Sequence, residues 1–355
     1  MTRNRNLALC LTFAALSSSS TFAAELLVPS QFATIQDAVK AAQPGDKVLV
    51  AEGAEAFGPI KLVNKTAITV LGAPGVTIDA AGTNHGILIQ NCDDVKVDGF
   101  LVLNADVAGV LVAGGTGVKV KRVETTGSVT GFRVGESAND ALLTKCVARD
   151  GKHGFAISGT ETTLKRCVVG DVEGEGVILG GSLNTVRDCD IESAAGFGVR
   201  IGGEGNLLQE TRISDCGIGI RVDTAVGAMI DANQVRDSIS EGIHLFKLSS
   251  DVFLSKNKVS GSGADGIRVE GTTSALLFKN KVVKSGADGI RLRPSDLPSR
   301  AMKNKVKASG NHGFFVQCSD SEFVKNTAKK SGAFDLRDTG NDNLFESNAF
   351  ATIAP

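Results

Sequence analysis

From position 86 onward the chain repeats one short pattern: a glycine, a large apolar residue, a variable residue and a second large apolar residue. The glycines are Gly86, Gly109, Gly131, Gly154, Gly176, Gly198, Gly219, Gly242, Gly266, Gly289 and Gly313, at intervals of 21 to 24 residues. The first apolar position runs from Ile87 and Val110 to Ile290 and Phe314, the second from Ile89 and Val112 to Leu292 and Val316. The residue between them is free, as in Leu88, Arg133, His244 and Arg268. Alternation with period two marks a strand with one buried and one exposed face. The glycine fits a corner where the backbone needs a positive φ or has little room.

A second column supports the first. Cys146, Cys167, Cys189, Thr211, Asn233, Asn257, Asn280 and Asn304 each lie 8 or 9 residues before the next repeat glycine, and Asn326 and Asn348 continue the series. Three residues before each comes an apolar residue, from Leu143 and Leu164 to Phe323 and Phe345, with only Ala301 small. Each repeat therefore holds at least two short strands and leaves no room for a helix. Such a repeat is one coil of a parallel β-solenoid, stacked on the next at roughly 4.8 Å. About twelve coils are expected, regular over residues 84–355. The asparagines should form a buried amide ladder, and the cysteines should fill the same column as small buried groups. Disulfides between successive coils would strain the stacking.

The amino-terminal part differs. Residues 25–50 read as a cap and first strand. Phe32 to Ala42 is amphipathic, with Thr34 placed as N-cap and Asp37 three residues on, and Pro44-Gly45-Asp46 stops it. Earlier still, Arg3 and Arg5 precede an apolar run from Leu7 to Leu16, then serines and Thr21-Phe22-Ala23-Ala24. That is the pattern of a secretory signal over residues 1–24, too short to span a bilayer, which leaves residues 25–355 as one secreted or periplasmic domain without a membrane anchor.

The run from Phe32 to Asp79, with T-I-Q-D-A-V, P-G-D-K-V-L-V and G-V-T-I-D, resembles the entry segment of pectate-lyase-like right-handed parallel β-helix proteins. With the coils, the resemblance covers nearly all of residues 25–355. It implies a right-handed parallel β-helix with an N-terminal α-helical cap. Activity is not implied, because that superfamily hosts lyases, hydrolases, esterases, epimerases and non-enzymes. Its enzymes bind sugar chains along a sheet face. Neither the paired aspartates with G-H-G and R-I-K of polygalacturonases nor a D-P-H-D string like that of alginate epimerases is present as a set.

The free middle position supplies the candidate chemistry. In five successive coils it reads Arg200, Arg221, His244, Arg268 and Arg291. Asp223, Glu241, Asp265, Glu270 and Asp288 lie nearby, with Arg293 beside them; Asp265 and Asp288 open two near-identical S-G-A-D-G-I-R units. A cationic row suits the carboxylates of an acidic polysaccharide. In a β-elimination, Arg221, Arg268 and Arg291 would stabilise the uronate charge, and His244, which titrates near neutrality, would take the proton. Arg200, Arg293 and the five acids would line the binding face. The same row could instead be a salt-bridge ladder that keeps the sheet face wet, on a non-catalytic surface or matrix protein that binds polyanions or partner proteins.

Composition narrows the field. The 355 residues include 42 Gly and 17 Phe but no Trp or Tyr; 42% are hydrophobic and 22% charged, with a net charge of −1. This excludes a disordered chain, a multi-pass membrane protein and a uniformly basic nucleic-acid coat. Charge is uneven, however: residues 244–330 hold 16 Lys and Arg against 7 Asp and Glu. A basic half points to a polyanionic partner, and the lack of Trp and Tyr for base stacking argues against nucleic acid. Sugar platforms are limited to Phe197, Phe246 and Phe315. No metal site is expected from His85, His153 and His312, which lie coils apart. Asp171, Glu173, Glu175, Asp188 and Asp190 could hold the Ca2+ that many lyases of the superfamily use. A copper-loading accessory role, known for some β-helix repeat proteins, has only 4 His and 3 Met to draw on. The last coil ends without an evident cap, so its edge is expected to be open to association.

Overall fold

Each coil closes because its apolar positions meet inside and its corners are tight. In the computed structural model, residues 23–355 are described except 54, 247, 273, 295 and 296. The expected signal segment lies almost wholly outside the described residues. Three parallel sheets of 15, 13 and 13 strands run the length of the molecule, with one small two-stranded addition. They are called here the first, second and third sheets. The coil containing His244 shows the plan: Ile243–Leu245 lies in the third sheet, Phe253–Ser255 in the first, Lys258–Ser260 in the second, and Ile267–Val269 starts the next coil. There are more coils than the repeat glycine counts, because the first ones and the last, whose strand Leu336–Asp338 follows Asp335, lack it. Ile243, Leu245, Leu254 and Val259 are all buried in one continuous core.

The repeat glycines sit at ordinary φ values; space is what they supply. A Cβ on Gly242 would lie 2.3 Å from Val259 Cγ1 and 2.7 Å from the Gly266 carbonyl oxygen. The sharp bend falls elsewhere. Just before the asparagine column, Lys256, Lys279, Lys303 and Lys325 take left-handed φ values of 54° to 57°.

The asparagine ladder forms as expected. Nδ2 of Asn233 donates to Oδ1 of Asn257 at 3.0 Å, Asn257 to Asn280 at 3.0 Å, and Asn280 to Asn304 at 3.1 Å. Each also donates to a carbonyl in the preceding coil, as Asn257 does to Ile230 at 2.8 Å. The cysteines continue the column as free, buried thiols. Cys189 Sγ accepts from the Cys167 amide at 3.4 Å, and Thr211 Oγ1 accepts from the Cys189 amide at 3.5 Å.

At the start, helix α1 (Ile35–Ala41) buries Ile35, Ala38 and Val39 on the first coils, and Thr34 accepts from the Asp37 amide. A strand that the sequence pattern missed, β1 (Glu25–Val28), precedes it and pairs with β2 (Lys47–Val50). At the other end, Thr352 accepts from the amides of Asp335 and Leu336 and so partly covers the third sheet. Among the described residues, no further strand follows Leu344–Glu346 and Ala349–Phe350, the last strands of the other two sheets.

Candidate functional site

The third sheet assembles the row read from the sequence. Arg200 pairs in register with Arg221, Arg221 with His244, His244 with Arg268, and Arg268 with Arg291. The same line continues to Phe315 and Arg337. Two residues further along each strand come Asp223, Phe246, Glu270, Arg293 and Gln317, and the corner before each strand supplies Glu241, Asp265, Asp288 and His312.

The row takes the form of a salt-bridge ladder, the second of the two expectations, and it is less exposed than the alternation implied: the side chains of Arg221, Arg268 and Arg291 are 15%, 22% and 24% exposed. Like charges one coil apart repel by roughly 1 kcal/mol in water and by more near a protein surface. Here acids offset that repulsion. Asp223 lies 3.2 Å from Arg200 Nε and 3.5 Å from Arg221 Nε. Glu270 accepts from Arg268 and from Arg293 at 2.8 Å each, and Glu241 accepts from Arg268 at 3.1 Å. Arg291 is the least compensated, with Asp288 at 3.8 Å and Gln317 at 3.3 Å. Burial raises the Glu270 carboxyl, but Arg268 and Arg293 outweigh it and hold the group below its usual range. Burial likewise opposes ionisation of Glu241, and the Ser240 hydroxyl, a backbone amide and the Arg268 charge overcome it.

His244 departs most from expectation. Its side chain is only 7% exposed, and the Phe246 ring stands edge-on to it at 5.3 Å between centroids. Burial, then the Arg221 charge, pushes its pKa down to about 4, so it does not titrate near neutrality. A guanidinium can only donate, so Arg221 Nη1 at 3.1 Å makes His244 Nδ1 the acceptor. The proton then sits on Nε2, which faces Glu270 at 3.6 Å. In this state the ring offers no free lone pair. Arg221 is itself held by aromatic faces, 3.9 Å from the Phe246 centroid and 5.7 Å from that of Phe197.

Asp265 and Asp288 also differ from expectation, being 2% and 1% exposed rather than open to a ligand. They hold the corner together. Asp265 Oδ1 accepts from the Asp288 amide at 3.0 Å, and Asp288 Oδ1 accepts from the His312 amide at 3.0 Å and meets His312 Nδ1 at 2.9 Å. Burial, then the Asp288 charge, raises the Asp265 carboxyl. Sequence reasoning treated His312 separately, although it precedes its glycine just as Asp265 and Asp288 do; that shared position was the available signal. Gln317 and Arg337 were also missed.

The acidic residues proposed for calcium are dispersed: Glu175 pairs with His153 at 2.7 Å and Asp190 with Arg212 at 3.0 Å. Among the described residues, no three His, Cys, Asp or Glu side chains converge on a possible metal position. No described helix is long and apolar enough to cross a membrane.

Comparison with known families matches residues 85–247 and 198–350 to the right handed beta helix region. The chain belongs to this family. Among solved structures, the A-module of mannuronan C-5 epimerase AlgE6 from Azotobacter vinelandii is similar at a TM-score of 0.67, with 14% identity over 90% of this chain and 93% of that one. The AlgE4 A-module of the same organism follows at 0.62, with 15% identity over 90% and 91%. The catalytic unit of a GH87 alpha-1,3-glucanase from Streptomyces thermodiastaticus strain HF3-3 gives 0.56, with 14% identity over 90% of this chain and 66% of that one. At these identities the likeness concerns the fold. No curated protein matches the chain significantly.

Proposed function

We propose that this chain is an exported, carbohydrate-active β-helix protein that lays an acidic, uronate-bearing polysaccharide along the third sheet. The observation that carries the reading is the in-register row from Arg200 to Arg291, flanked by Phe197, Phe246 and Phe315. Its arginine–carboxylate pairs are planar and charge-assisted, so a uronate carboxylate can take the place of Asp223 or Glu270. The similar solenoids of an epimerase acting on mannuronan and of an alpha-1,3-glucanase support a sugar chain as the ligand.

In the catalytic form of this reading the reaction is a β-elimination. Arg268 and Arg291 meet the uronate carboxylate and stabilise charge as the C5 proton leaves. His244 Nδ1 takes that proton, the electron pair forms the C4–C5 double bond, and the glycosidic oxygen departs from C4 and is protonated by water. Arg221 must first release Nδ1. A substrate carboxylate that draws Arg221 away frees the lone pair and lifts the base strength together, which makes the base substrate-gated. The non-catalytic reading is favoured by one observation: in the resting geometry both ring nitrogens of His244 face protein groups.

Incubation with alginate, pectate and glycosaminoglycans, with and without calcium, tests both forms. New ultraviolet absorbance from unsaturated uronates, lost in His244→Ala, supports elimination. Binding without new absorbance leaves the non-catalytic form. Binding to none of these chains overturns the acidic-polysaccharide reading.

A further inference from the structure

The carboxy-terminal half of the second sheet handles charge in the opposite way. Its outward positions stack Lys258 on Lys281 and Lys281 on Lys305, and beside them Lys307 on Lys329. All five side chains are exposed. Of the lysines on this sheet and its asparagine corner, Lys256 alone forms an ion pair among the described residues, with Asp231 at 3.3 Å. Corner lysines Lys279 and Lys303 lean over Phe278 on the first sheet instead. Like charges on neighbouring coils repel one another. On the third sheet the chain supplies the neutralising acids; earlier strands of the second sheet do the same with Arg149–Glu124 and Arg212–Asp190, but no acid among the described residues pairs with these five lysines.

These lysines line a trough. A depression of about 720 Å³ runs over Lys281, Lys305 and Lys329 to Phe350, with Val283 contributing an apolar patch. A second depression of about 350 Å³ continues it past Lys258 to Arg236 and Gln234. The strands from Gln234–Arg236 to Ala349–Phe350 are consecutive in the sheet, which makes the trough roughly 24 Å long at about 4.8 Å per strand.

We propose that this trough is a second, non-catalytic binding site that takes a linear carboxylated polysaccharide. The inference rests on the carbohydrate reading for its class of ligand, but on none of the third-sheet residues. A narrow track suits a linear chain better than a flat charged surface. Its pitch sets one cationic rung every ~4.8 Å, close to the rise of one sugar in an extended 1,4-linked chain, so successive uronates meet successive coils. Single-stranded nucleic acid is the poorer fit, because base stacking needs aromatic platforms and Phe350 is the only aromatic residue lining the trough.

The test is fluorescence anisotropy of the full-length protein with a labelled oligogalacturonate long enough to span the trough, at low and near-physiological salt. We expect salt-sensitive binding, weakened at least tenfold in Lys281→Gln/Lys305→Gln/Lys307→Gln with the urea unfolding midpoint unchanged, and labelled single-stranded DNA of equal charge bound at least tenfold more weakly. Arg200→Gln/Arg291→Gln is the third-sheet control. Loss of binding in the lysine variant alone supports the trough and removes the third-sheet reading for this probe. Loss in the arginine variant alone overturns the trough and leaves that reading. Equal or tighter binding of the DNA, or no binding of the oligogalacturonate by the unaltered protein, also overturns the trough.

Discussion

His244 concentrates the electrostatics of the third sheet in one ring. Its pKa is about 4 in the folded protein, with burial the main cause, against about 6.5 for a free imidazole. A depressed histidine pKa means that the unfolded chain binds the proton first as pH falls. Stability is therefore unaffected above about pH 6.5 and declines between there and pH 4, by roughly 3 kcal/mol if the ring titrates alone. Glu241 and Glu270, both held low, lose stability in the same direction in the acid range, whereas the raised Asp265 carboxyl works against them. Urea unfolding between pH 7 and pH 4.5 should show a steeper decline for the natural protein than for His244→Gln. Equal slopes would show that the ring is not the titrating group. The position of His244 in the row was legible in the sequence because the period is fixed. Its burial was not, because besides Arg221 of the row it comes from Phe246 and Glu270, two residues further along their strands, where the residue type changes from coil to coil.

At the scale of the strand and its corners, two columns carry the coil. Asn280 is fully buried, donates to Asn304 Oδ1 and to the Leu254 carbonyl, and accepts from the Asn257 amide. Asn280→Ala leaves those buried groups unpaired and should cost about 2–3 kcal/mol in chemical unfolding. Gly266→Ala should cost a comparable amount by another route, since its Cβ would lie 2.2 Å from Val282 Cγ1 and 2.7 Å from the Gly289 carbonyl oxygen. Unchanged midpoints in both variants would contradict the ladder and the tight corner. These columns were readable because each returns at a fixed spacing with a narrow choice of residue: glycine in one, and cysteine, threonine and then asparagine in the other. The strand Glu25–Val28 was not, since it comes before the repeat begins and is recognised only through its pairing with Lys47–Val50. The second-sheet strands also escaped notice as strands, because their three residues give too short an alternation to stand out.

Across the whole molecule, the interior is one column of coils and the charge is divided between faces. The six described cysteines are all at most 2% exposed. Burial pushes the Cys216 thiol up to about 11, and hydrogen bonding along the cysteine column raises Cys167 and Cys189 further. Thiol reagents should therefore leave these groups unmodified in the native state and label all six only when the coils open. Rapid labelling of Cys146, Cys167 or Cys189 under native conditions would mean that the middle coils breathe independently. The carboxylate-paired arginine row of the third sheet and the lysine columns of the second lie on different faces, so salt should act mainly on the lysine side, where no ion pair among the described residues neutralises Lys258, Lys281, Lys305, Lys307 and Lys329 and solvent ions do the screening.

The two near-identical S-G-A-D-G-I-R units have a consequence for length. They are 23 residues apart, so excising residues 263–285 would join Ser262 to Gly286, restore the same heptapeptide and leave every face aligned. Such a product would be shorter by one rung, roughly 4.8 Å, with Arg291 stacked directly on His244. Removing a single residue would instead throw inward side chains outward. The polymer is thus graduated like a ruler, and its natural unit of gain or loss is the whole turn.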